Sequence, residues 1–114
     1  GFTVNGPLLE VSAIQGDWVH WWFGYFEAMN VLTRLEVGYY PDVERWPSQN
    51  PTRGGLDWSG DGRGCNALTG WFAVDGVAYA GSSLAAIDLR FEQICQDLPG
   101  TTAALHGQLR WAAP

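Results

Sequence analysis

At 114 residues, 46% of them hydrophobic and 14% aromatic, the chain reads as one folded domain, 1–114, and not as a disordered segment. The net charge is −6, and the basic residues are all arginines (Arg34, Arg45, Arg53, Arg63, Arg90 and Arg110) dispersed along the sequence. That balance argues against nucleic acid and against an anionic membrane surface as partners. No apolar run reaches the roughly 18 residues a membrane-crossing helix needs, so membrane insertion is not expected. The opening GFTVNG lacks the charged and apolar stretches of a signal peptide.

Turn residues recur along the chain, and between them the pattern has period two. LLEVSAI (8–14) reads as a strand, and QGD as a turn. The aromatic run DWVHWWFGYFEA (17–28) supplies a strand over 18–27 with Trp18, His20, Trp22 and Phe26 on one face and Val19, Trp21, Phe23 and Tyr25 on the other. LTRLEVGYY (32–40) reads as a third strand. PDVERWPSQNPTRGG (41–55), with three prolines and two glycines, reads as a long loop. LDWS is a short strand, GDGRG a turn and ALTGWFAV (67–74) a strand. Asp75-Gly76 is the strongest hairpin signal in the chain, with VAYA returning and Gly81-Ser82 turning again.

SLAAIDLRFEQIC (83–95) is a long strand with Ile87, Leu89 and Phe91 inward, Asp88, Arg90 and Glu92 outward, and Cys95 on the inward parity. QDLPGTT is a loop, and ALHGQLRW (104–111) closes the chain with Leu105, Leu109 and Trp111 inward. Seven or eight antiparallel strands and no amphipathic helix imply an all-β domain, a β-sandwich or a barrel. The sandwich, jelly-roll or immunoglobulin-like, is the preferred form.

Cys65 and Cys95 read as one disulfide in an oxidising compartment, periplasmic or extracellular, the alternative being two buried thiols. A zinc site lacks its usual ligand spacing. DWSGDG offers Asp57, Ser59 and Asp61 at alternate positions with Gly62 following, as at the start of a calcium loop, which makes calcium the one candidate cofactor. Against it, Leu68 stands at the twelfth position, where a bidentate Glu belongs.

Two aromatic faces on one strand are one more than a core needs. A platform of Trp21, Phe23 and Tyr25 suits stacking against pyranose rings, with Tyr40 and Trp46 beside it and Asp42, Glu44 or Arg45 orienting sugar hydroxyls. Tyr39 flanks the same loop. The alternative is a strand covered on both sides, by the 41–55 loop, a neighbouring domain or a second copy in a homodimer. No nucleophile elbow, phosphate loop or His-Glu-x-x-His run points to catalysis.

LDWSGDGRGCNALTGWFAV, LAAIDLRFEQIC and ALHGQLRW together resemble a largely uncharacterised family of small bacterial domains found in secreted or cell-surface multidomain proteins. The resemblance spans roughly residues 38 to 111, and its most specific part is the Gly-Arg-Gly-Cys-Asn run. It implies an exported β-rich accessory domain with a Cys65–Cys95 bridge and no enzymatic activity. The expectation is therefore a non-catalytic binding module whose partner is a polysaccharide or other glycan, or else an assembly domain.

Overall fold

The computed structural model describes residues 1–17, 20–60, 65, 67–96 and 104–114, with backbone alone for 13, 15–17 and 20. Eight strands are present among these: β1 (Phe2–Asn5), β2 (Leu8–Asp17), β3 (His20–Glu27), β4 (Gly38–Arg45), β5 (Gly55–Gly60), β6 (Leu68–Ala80), β7 (Ser83–Cys95) and β8 (Ala104–Ala112). They form one sheet in the order β1-β2-β3-β5-β4-β6-β7-β8. The domain is all-β, as its turn spacing implies. The sheet is continuous and mixed, however: β4 runs parallel to β5 through Glu44–Gly55 and Arg45–Leu56, where two separate antiparallel sheets were expected. It curls nearly into a barrel, and Phe2 of β1 stacks on Trp111 of β8 with ring centroids 5.3 Å apart. Among the described residues no helix is long and apolar enough to cross a membrane.

Alternation sets the core. Leu9 and Val11 of β2, Phe26 of β3, Leu56 of β5, Phe72 and Val74 of β6, and Ile87, Leu89 and Phe91 of β7 are all buried. Phe26 ties the two halves of the sheet together, meeting Phe72 edge-on at 5.7 Å and Phe91 at 5.3 Å. Removing such a ring typically costs about 3–5 kcal/mol. Trp58 packs beside it, and a Cβ on Gly24 would lie only 2.5 Å from the Trp58 ring, so the strand opposite needs glycine there. Trp22 is half-buried against Trp58, whereas Trp18 and Val19 lie outside the described residues.

Five expectations change. Residues 15–17, expected as a turn, continue β2 as far as Asp17. β1 is an additional strand, turned into β2 by Gly6 at φ 57°. The strand expected at 32–40 begins only at Gly38 and runs on into the expected loop as far as Arg45. Residues 28–37 lie outside the strands: the Ala28 and Asn30 N–H groups donate to the Pro7 and Pro51 carbonyls, and at the far end Tyr40 donates to the Glu36 carbonyl at 2.6 Å and Tyr79 to the Leu35 carbonyl at 2.7 Å. Asp75-Gly76 does not turn the chain but makes a bulge inside the 13-residue β6, and the hairpin falls at Gly81-Ser82. Leu105, expected inward, is exposed on the edge strand β8, while Leu109 and Trp111 pack on the core. The expected GDGRG turn and QDLPGTT loop fall almost wholly outside the described residues.

The seam between the halves is closed by a side chain. The Glu44 N–H donates to the Gly54 carbonyl at 3.1 Å and the Trp46 N–H to the Leu56 carbonyl at 3.0 Å. The next donor in register is Ser48, and its N–H turns back to the Arg45 carbonyl at 2.8 Å instead of continuing the ladder. Beyond it the buried Gln93 amide takes over, accepting from the Trp58 N–H at 2.8 Å and donating to the Trp58 carbonyl at 3.0 Å. Its nitrogen also lies 3.8 Å from Cys65 Sγ. Cys65 and Cys95 are disulfide-bonded, with Cα atoms 5.5 Å apart, which is compatible with an oxidising compartment. In the chain-entropy view the bridge contributes about 3–4 kcal/mol.

Replacing Gln93 by Leu leaves both Trp58 backbone groups without partners. Chemical denaturation is expected to show a loss of about 2–4 kcal/mol, and Gln93→Glu, which sets a buried carboxylate oxygen against the Trp58 carbonyl, loses at least as much at neutral pH.

Candidate functional site

With Phe26 pointing in, strand parity turns Trp21, Phe23 and Tyr25 outward. Trp21 is 46% and Phe23 41% exposed, so this face is open to solvent along much of its length. The three Cα positions span about 13 Å at the usual strand rise. At the far end Tyr25 is covered, because Trp46 stacks on it with ring centroids 4.0 Å apart and planes 8° from parallel. The covering follows from the sheet: pairing of Arg45 with Leu56 carries β4 across the end of β5, next to Asp57, which pairs with Tyr25. The expected cover by the 41–55 segment is thus present for Tyr25 and absent for Trp21 and Phe23.

Polar groups gather beside the stack. Ser59 and Asp57 pair with Phe23 and Tyr25 across β3–β5. Gln49 donates to Glu27, and Glu44 accepts from the Asn50 N–H at 3.0 Å. Arg45 Nε and Asp57 Oδ1 are covered and lack a hydrogen-bond partner among the described residues. Burial pushes the Asp57 carboxyl above its ordinary value, an effect the nearby Arg45 charge only partly offsets. The flat rings can stack on an apolar ligand face, and the side chains at their margin can order a ligand's hydroxyls.

Not every expected residue joins this face. Tyr40 does not: it is 4% exposed, stacked on Phe72 at 4.7 Å, and its hydroxyl is taken up by Glu36. The outward ring of that pair is Tyr39. A bulge between Tyr40 and Val43, with Asp42 at φ 54°, resets the parity of β4. Asp42 and Glu44 therefore line a groove with Tyr39, Trp71 and Arg53 on the β6–β7 side, away from Trp21. Asp57 and Ser59 lie on β5, the strand expected at LDWS, and Asp61 is outside the described residues. Among the described residues no group of three or more His, Cys, Asp or Glu side chains is placed to hold a metal ion.

A second aromatic surface, built on Tyr39 and Trp71, escaped the sequence reading. Its signal was present. Thr69, Trp71 and Ala73 share the outward parity of ALTGWFAV, and Trp71 pairs with Glu92 in the register that sets Arg90 outward. No family model, no curated protein and no solved structure matches this chain.

Because the folded state resists ionising Asp57, Asp57→Asn is expected to raise the unfolding temperature at neutral pH. The gain shrinks as pH falls through the raised carboxyl value and vanishes below about 3.9, where the wild-type group is protonated in both states. Thermal unfolding of both proteins between pH 3 and 7 checks this.

Proposed function

We propose that the protein is a non-catalytic carbohydrate-binding module, an accessory domain of an exported bacterial protein working in the extracellular or periplasmic space. The observation that carries the reading is the outer face of β3, where the Trp21 and Phe23 rings stand exposed in line with the Tyr25–Trp46 stack. Pyranose C–H faces stack on such rings, and Ser59 and Asp57, the β5 partners of Phe23 and Tyr25, flank them to order the hydroxyls. The acidic balance suits a neutral glycan over an anionic one. The resemblance of the GDGRGCN and FEQIC segments to secreted accessory domains, together with the disulfide, supports the location.

A second reading draws on the same rings. Two large apolar side chains exposed side by side also suit a neighbouring domain or a second copy of the chain, giving an assembly domain.

Intrinsic tryptophan fluorescence, titrated with soluble neutral polysaccharides and followed beside light scattering, separates the two. The binding module is a monomer with a saturable shift that weakens at least tenfold in Trp21→Ala and Trp46→Ala. A dimer that Trp21→Ala dissociates, with no shift for any glycan, would overturn the binding reading in favour of assembly.

A further inference from the structure

We propose that the outer face of β6 and β7 carries a second saccharide site, a depression over Ala73 that seats one neutral pyranose between the Tyr39 and Trp71 rings and the Arg90–Asp75 pair. The inference shares the ligand class of the β3 platform and none of its residues.

Register builds the depression. Tyr39, Ala73, Arg90 and Gln108 form one row across β4, β6, β7 and β8. Ala73 is the small member of that row, so its neighbours stand up around a floor made by its methyl group. Trp71 rises on one side, 5.7 Å from Tyr39 between ring centroids, and the Asp75 bulge on the other. The resulting space is about 600 Å³. That lies within the range of about 300–1,000 Å³ usual for small-ligand sites. On the other side of the Tyr39–Trp71 pair lies a separate groove of about 460 Å³ lined by Asp42, Glu44 and Arg53.

The polar wall is already organised. Arg90 Nε and Nη2 donate to the Asp75 carboxylate at 2.6 and 3.0 Å, and the guanidinium lies over the Trp71 ring, 5.7 Å from its centroid. A guanidinium has five N–H donors, so among the described residues three are left for acceptors on a ligand. Its geometry is fixed before binding, which spares the entropy of ordering a long side chain. Vicinal hydroxyls match this wall, donating to Asp75 and accepting from Arg90, while the ring's C–H face rests on Trp71. The hydrogen bond from Arg90 holds Asp75 below its ordinary value, so the pair persists in mildly acidic solution. On this side of the molecule Asp42, Glu44, Asp75, Asp88 and Glu92 outnumber Arg53, Arg90 and Arg110, and the negative balance disfavours an anionic sugar.

The test uses cello-, xylo-, manno- and maltohexaose, with polygalacturonate as the acidic comparison. Binding is followed by calorimetry and by the NMR signal of the Trp71 indole N–H, identified by its absence in Trp71→Phe. The expected result is a shift of that signal with at least one neutral hexaose. The affinity at this site should drop at least tenfold in Ala73→Leu, which fills the floor, and in Arg90→Gln, which empties the wall, while Trp21→Ala leaves the Trp71 signal responsive. Thermal unfolding of each variant accompanies the titrations; should Ala73→Leu fail to fold, the surface change Arg90→Gln carries the decision. An indole signal that no neutral hexaose moves, or tighter binding of polygalacturonate here, overturns the inference. Loss of binding in Trp21→Ala with Trp71 silent keeps the platform and removes this site. The converse keeps this site and removes the platform.

Discussion

Everything outward-facing in this protein depends on how β5 is held on its inner side. β5 has a full antiparallel partner in β3 and only a two-residue parallel partner in β4, so its ladder stops short of Trp58. An amide side chain from β7 finishes it, presenting to the Trp58 backbone the same donor and acceptor that a strand would. Buried backbone groups left unpaired are costly enough that such a seam must be closed by something. Using Gln93 for it fixes β7 against β5 at one register. The disulfide lies within reach of the same amide, so the covalent and hydrogen-bonded closures act on one place.

Register is also what links core to surface. A one-residue slip in β3 would exchange Phe26 for Tyr25, emptying the core and stripping the outer face together. The cluster of Phe26, Phe72, Phe91 and Trp58 thus specifies where Trp21 and Phe23 stand, even though it touches no ligand. The same holds on the other half, where Phe72 inward means Trp71 outward. Bulges then adjust single positions: one turns Asp75 toward Arg90, the other sets Asp42 at a positive φ and moves its neighbours to a different face.

The sequence was most legible where alternation is unbroken. β7 matches its reading residue by residue, with Ile87, Leu89 and Phe91 in and Asp88, Arg90 and Glu92 out, because both faces differ sharply in polarity. β3 was legible as a strand, and its exposed face follows once Phe26 is known to be buried. Local signals misled where tertiary structure outweighed them. Asp-Gly favours a tight turn, yet continuous pairing of Leu68–Ala80 with β7 outweighs that preference and leaves a bulge. Tyr39 and Tyr40 are adjacent and chemically alike, so only the packing of one ring on Phe72 decides which reaches solvent. Gln93 could not be singled out at all, since nothing in FEQIC announces that its amide pairs with a backbone 35 residues away.

The body that carries these faces is only 20 Å across its shortest dimension. Trp21 and Trp71 sit on strands whose inward residues meet through Phe26 and Phe72, so the two aromatic surfaces are set back to back and look away from each other. They cannot close like jaws on one stretch of anything. Whatever touches both at once must be two separate strands of material, or one that wraps around the edge of the domain. In shape the molecule is a spacer, not a clamp.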